Sequence, residues 1–191
     1  MTEPHDDDAL RQLVQLLDPG STLVRTWPLA GGVSARVTAF EIEQPDGQRT
    51  TLVLRQHGEA DCGRNANIAR DEFRLLRIVR SHGVTAPEPI FLDESGELFA
   101  TPIVAIEYVD GETEFAPSDV TDFIAQMVSQ LVMIHGVPDS PGLTFLPRRG
   151  QGFGARPEHL DVALGEGRIR DVLESVATVA QVNDSVLFHG D

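Results

Sequence analysis

Residues 50–56, Thr-Thr-Leu-Val-Leu-Arg-Gln, carry a period-two pattern that suits an extended strand. Leu52 and Leu54 fall on one face and Val53 and Arg55 on the other, so the Arg55 cation has an apolar neighbour on its own face. A strand needs partners, and the flanking residues supply them. Residues 21–30 and 33–43 read as two strands punctuated by Gly31-Gly32, and Pro45-Asp46-Gly47-Gln48 is a hairpin turn by composition. Residues 90–92 and 103–109 add two more strands, separated by the turn residues Glu94-Ser95-Gly96-Glu97. A leading helix is expected where Leu10, Leu13, Val14 and Leu17 follow Asp6 to Asp8 at helical spacing, with Asp18-Pro19-Gly20 as its stop. Residues 57–67 are expected to form a surface loop, and residues 68–81 a second helix stopped by Gly83. On that helix Glu72 shares a stripe with Leu75, Leu76 and Val79, which directs its carboxylate towards the core, where it needs a partner. The order helix, three strands, helix, two strands implies an α+β fold: a five-stranded antiparallel sheet with one helix packed on it.

Beyond residue 110 the composition shifts, which divides the chain into residues 1–110 and 111–191 joined by a hinge. Ser118 is the expected cap of a long helix carrying Phe123, Ile124, Met127, Val128, Leu131 and Val132, closed by Gly136 and Pro138. His135 lies on that apolar helix and is expected to be packed against other residues. A Pro/Gly/Arg-rich connection over residues 137–157, a short helical turn over 158–164 and a helix carrying Ile169, Val172, Leu173, Val176, Val179 and Val182 follow. The strand Val186-Leu187-Phe188 then delivers His189-Gly190-Asp191.

Charge and cysteine usage exclude several classes. Thirty acidic against fifteen basic residues give a formal net charge of −15, which repels nucleic acid and anionic lipid and reads as a well-solvated acidic surface or as one that attracts a cationic partner. Cys62 is the single cysteine, so neither an intrachain disulfide nor a cysteine-rich zinc site is available. The acidic amino terminus lacks the basic and apolar segments of a secretory signal, and no apolar run approaches a membrane span, so a cytoplasmic protein is expected.

Four features carry possible chemistry, and each also has an ordinary reading. The turn Leu29-Ala30-Gly31-Gly32-Val33-Ser34 could bring backbone N–H groups and a hydroxyl to phosphates, or serve as a plain hairpin turn. Arg55 and Glu72, if they meet, form either a surface salt bridge or a fixed cation for phosphate oxygens. The apolar strand Ile106-Glu107-Tyr108-Val109 running into Asp110-Gly111 is a core strand, or one whose main chain meets an adenine edge in a cleft. Asp191 is a turn residue, or a base that takes a proton from a hydroxyl.

Taken in order, these features resemble the aminoglycoside phosphotransferase family, small-molecule kinases of protein-kinase-like fold. Leu29 to Ser34 is similar to the family's nucleotide loop, Leu52-Val53-Leu54-Arg55 to its phosphate-binding strand, and Arg70-Asp71-Glu72-Phe73 with Leu76 to its helix bearing the partner Glu. Val84-Thr85-Ala86-Pro87-Glu88-Pro89 resembles its Pro-x-Pro turn, Ile106 to Gly111 its hinge, and Leu131 to His135 the end of the next helix. The resemblance implies a sheet lobe followed by the beginning of a mainly helical lobe, and transfer of the γ-phosphoryl group of ATP, or GTP, to a hydroxyl of a small, possibly cationic molecule. It implies nucleotide contacts from Gly31, Gly32, Ser34, Val53, Arg55, Glu72, Ile106, Glu107 and Val109, with Asp191 as base and His189 as a structural residue. It also implies Mg2+, but the Asn five residues after the base and the later Asp that serve the metal in the family have no counterpart within these 191 residues. Impaired catalysis is therefore expected of the chain as it stands, with a non-catalytic nucleotide-binding module or a non-functional fragment as alternatives.

Overall fold

The structure is a computed structural model that describes residues 4–29, 35–111, 114, 116–148, 168 and 185–188. Helix α1 (Pro4–Leu17) leads into strands β1 (Thr22–Pro28), β2 (Ala35–Glu43) and β3 (Arg49–His57). Two helices follow, α2 (Glu59–Arg64) and α3 (Ile68–Ser81), and then strands β4 (Pro89–Asp93) and β5 (Ile103–Glu107). Helix α4 (Val120–His135) and a 3-10 turn (Pro141–Leu143) complete the described elements. The sheet is antiparallel throughout, in the order β1-β2-β3-β5-β4.

The alternation expected around Arg55 is realised in the ladder. Leu52 and Leu54 join Phe40 and Ile42 on one face, where α1 supplies Ala9, Leu10, Leu13 and Val14. Val53 joins Val104 and Ile106 on the other, where α3 supplies Ala69, Phe73 and Leu76. The sheet is thus covered by a helix on each side. The periodic leucines of α1 explain its docking, since spacings of three and four put Leu10, Leu13 and Val14 on one stripe, and all three are buried. An ion pair between Asp6, in the first turn of α1, and Arg36 on β2 ties down the start of the helix. Gly83 ends α3 as expected: its φ of +82° is a left-handed conformation that L side chains resist, and the Val84 N–H returns to the Val79 carbonyl at 3.0 Å.

Two local expectations are corrected. Residues 57–67 are not simply a loop: β3 continues through His57, and α2 follows with Asp61 buried. Acidic Glu59 and Asp61 sit in the first turn of α2, where partial positive charge favours them. The cap of α4 is Asp119 rather than Ser118, with its carboxylate accepting the Asp122 N–H at 2.9 Å.

Helix α4 carries no buried residue, and Val120, Ile124, Met127, Val128, Leu131 and Val132 are exposed. His135 is exposed as well, which corrects its expected packing. The segment after α4 instead packs on the far end of α3, where Val137 and Leu143 cluster with Val79 and Val84. Leu187 joins this cluster and Val186 bridges to Pro138. The turn and helix expected over residues 158–164 and 169–182 lie outside the described residues. Among the described residues no helix is long and apolar enough to cross a membrane.

Phe40 is fully buried between the sheet and α1. Phe40→Ala is expected to lower the unfolding free energy by about 3–5 kcal/mol, read as a reduced urea midpoint at unchanged slope.

Candidate functional site

Helix α3 lies against β4 and β5, and its Glu72 side chain reaches β3, the strand carrying Arg55. Arg55 Nε stands 2.7 Å from Glu72 Oε1, and His57 Nε2 stands 3.1 Å from Glu72 Oε2. Arg55, His57 and Val53 share one face of β3, two residues apart, so a single strand presents an apolar side chain, a cation and an imidazole in a row. Exposure differs along that row: the Arg55 side chain is 32% exposed and that of Glu72 21%, while His57 is 3% exposed.

Both contacting nitrogens are buried, and the N–H directions fall outside hydrogen-bond geometry although the distances are those of ion pairs. The distances decide the matter for Arg55. Attraction between opposite charges at 2.7 Å does not require the alignment that a hydrogen bond does. Neither nitrogen has a hydrogen-bond partner elsewhere among the described residues, so the Glu72 carboxylate is what compensates their burial.

Beside this pair lies an apolar surface. Val53 and Ile106 are buried, and Leu29, Val37 and Tyr108 pack against them on the α3 side of the sheet. Val53 pairs with Ile106 across the ladder, and Arg55 pairs with Val104, so the cation lies one pleat further from the end of β5 than the apolar pair. Trp27 closes the edge: its ring stands 6.2 Å from that of Tyr108 in a T-shaped contact, and the Arg25 guanidinium covers it at 4.7 Å. The ladder ends at Glu107, leaving Tyr108 and Val109 beyond it, with Val109 63% exposed.

The residues singled out from the sequence therefore have different placements. Arg55 and Glu72 meet, and Val53 and Ile106 line the adjoining surface. The Glu107 carboxylate turns away from them: it accepts the Glu88 N–H at 3.0 Å and lies 3.4 Å from Arg80. The Glu107 N–H is also engaged, by the Glu88 carbonyl at 2.8 Å, which fastens the Pro-Glu-Pro turn to β5. Gly31, Gly32, Ser34, His189 and Asp191 lie outside the described residues. His57, Trp27 and Val37 were not singled out as site residues, and Leu29 and Tyr108 figured only as members of the loop and strand motifs. His57 was within reach of the same period-two rule that placed Arg55, had the strand been extended by one residue.

The family described as "Phosphotransferase enzyme family" (APH) matches residues 26–191. The chain belongs to that family. No curated protein matches it closely enough to count as a relative. Among solved structures, it is similar to a protein from Ralstonia eutropha described as a candidate aminoglycoside phosphotransferase, with 15% identity and a TM-score of 0.56 over 91% of this chain and 49% of that one. It is also similar to a spectinomycin phosphotransferase solved with ADP and spectinomycin, with 12% identity and a TM-score of 0.52 over 93% of this chain and 49% of that one. These likenesses show the fold, and the chain spans about half the length of both structures.

Glu72→Ala leaves the Arg55 and His57 nitrogens without their carboxylate. The variant is expected to lose about 1–3 kcal/mol of stability, less than a fully buried pair would because both partners keep some contact with water. Chemical denaturation checks this; an unchanged midpoint would show that the contact contributes nothing to the fold.

Proposed function

We propose that the surface formed by Leu29, Val37, Val53, Ile106 and Tyr108, together with Arg55, binds a nucleoside triphosphate, and that the complete protein transfers its terminal phosphoryl group to a hydroxyl of a small molecule. The observation that carries this reading is the Arg55–Glu72 contact at 2.7 Å directly beside that apolar surface. A purine ring needs apolar faces above and below it, whereas phosphates need a cation held in one orientation. In support, the apolar pair Val53 and Ile106 lies one pleat from Arg55 in the ladder. Membership of the phosphotransferase family supports the reaction class, and the ADP held by the spectinomycin phosphotransferase supports a nucleotide ligand.

Each residue then has a role. Arg55 meets phosphate oxygens, and Glu72 fixes its direction. The main-chain carbonyl of Glu107 and the main chain of Val109 offer hydrogen bonds to the edge of the base, from ATP or GTP, and Gly31, Gly32 and Ser34 approach the phosphates. Asp191 accepts the hydroxyl proton as the bond from acceptor oxygen to terminal phosphorus forms and the bond from that phosphorus to the leaving diphosphate breaks. This chemistry belongs to a cleft between a sheet lobe, residues 1–110, and a helical region that begins in residues 111–191, and its dependence on ATP suits a cytoplasmic protein. The resemblance implies Mg2+, but among the described residues no group of three or more His, Cys, Asp or Glu side chains could hold a metal ion. Magnesium would neutralise phosphate charge when bound; no ligand for it is assigned.

The net charge of −15 bears on the acceptor. An acidic surface attracts cations over a range of about 8–10 Å at physiological salt, which favours a positively charged hydroxyl compound over a neutral one. ATP is anionic and depends instead on the local cation Arg55. The test is acceptor-dependent consumption of ATP by the complete protein across a panel of cationic and neutral hydroxyl compounds. Acceptor-dependent turnover that falls at least about tenfold in Arg55→Ala is expected. Nucleotide binding without any product would instead identify a non-catalytic nucleotide-binding module, and no nucleotide binding at all would overturn the reading.

A further inference from the structure

We propose that His57 is a positioning residue for the phosphate-binding cation, acting through Glu72. This rests on the reading of Arg55 as the group that meets nucleotide phosphates. A carboxylate held at one oxygen can still turn about its terminal bond, and its cation turns with it. Glu72 is held at both oxygens, by Arg55 Nε at Oε1 and by His57 Nε2 at Oε2. The imidazole is 3% exposed, so water does not supply the second contact in its place. Its Nε2 has no hydrogen-bond partner elsewhere among the described residues, which leaves the Glu72 carboxylate as its counterpart.

Position along the strand separates the two roles. Val53 pairs with Ile106, Arg55 with Val104, and Gln56 with Ile103, so His57 stands at the end of β3 farther from the apolar surface than Arg55. Its main-chain N–H is held by the Pro102 carbonyl at 3.2 Å, which fixes the strand end from which the ring projects. Arg55 keeps a third of its side chain exposed for a ligand, while His57 is closed off behind it. The ring nitrogen occupies the space beside Oε2 and leaves Oε1 to orient the guanidinium.

The effect on a ligand should be modest, because Arg55 keeps its own contact with Glu72 when His57 is changed. Titration calorimetry with ADP as the probe is expected to show a dissociation constant raised about fivefold in His57→Leu and less than about twofold in His57→Gln, whose amide can still donate to the carboxylate. In the Glu72→Gln background the further change His57→Leu should alter the constant by less than about twofold, since the carboxylate it acts through is gone. Independent, multiplying effects of the two substitutions would reveal a merely structural histidine and overturn the inference. So would ADP binding that Arg55→Ala weakens and His57→Leu leaves unchanged. A wild-type chain that binds no ADP overturns the nucleotide reading and the inference together. Should His57→Leu fail to fold, proton NMR of the wild-type chain decides the contact: a slowly exchanging imidazole Nε2–H signal, absent in His57→Gln and lost in Glu72→Gln, is expected, and its absence from the wild type overturns the proposal.

Discussion

A carboxylate half-buried against a sheet needs compensating partners, and two nitrogens of a single strand approach Glu72 at 2.7 and 3.1 Å. That requirement ties α3 to β3 more specifically than apolar packing does. Phe73 and Leu76 would tolerate a small slide of the helix over Val53 and Val104, because hydrophobic contact is not directional. A contact at 2.7 Å on one oxygen and 3.1 Å on the other would not. The apolar face sets which side of the helix is buried, and Glu72 sets where along the strand it rests. The site and the fold therefore depend on one pair of contacts.

The two faces of the sheet divide the work. Against α1 the core is almost wholly apolar, with Leu10, Leu13, Val14, Phe40 and Leu54 all nearly inaccessible, and its contribution is stability. Against α3 the apolar cluster is smaller and several of its members, Leu29, Val37 and Tyr108 among them, are only partly buried. A partly covered apolar surface beside a held cation can accept a ligand, and a fully packed one cannot. The rim of that surface is firm. Trp27 and Tyr108 brace one another across it, and Glu107 spends its carboxylate and its N–H on the turn before β4.

Much of this was legible in the chain because it rests on two periods. Alternation over residues 50–56 separated Leu54 from Arg55, and a stripe of three and four put Glu72 with Leu76. What escaped were features decided by a single residue or by a distant partner. His57 stands at a strand end, where the pattern offers no further apolar residue to mark continuation. Helix α2 has six residues, too few for a period to register. Ser118 and Asp119 are both good caps, and only the conformation of the chain selects Asp119. The apolarity of α4 suggested that His135 would be packed, yet a helix's own pattern does not specify what covers it, and here the residue is exposed. Gly31, Gly32, Ser34 and Asp191 remain readings of the sequence and of its family.

The central claim is that the α3 side of the sheet, around Arg55, is the face that takes a nucleotide. Mapping amide and methyl NMR shifts during an ADP titration addresses this face by face. The account predicts saturable changes at Val37, Val53, Arg55, Ile106 and Tyr108, with Leu13, Phe40 and Leu54 on the opposite face little affected. Changes centred on the α1 side, or none at saturating ADP, would contradict it.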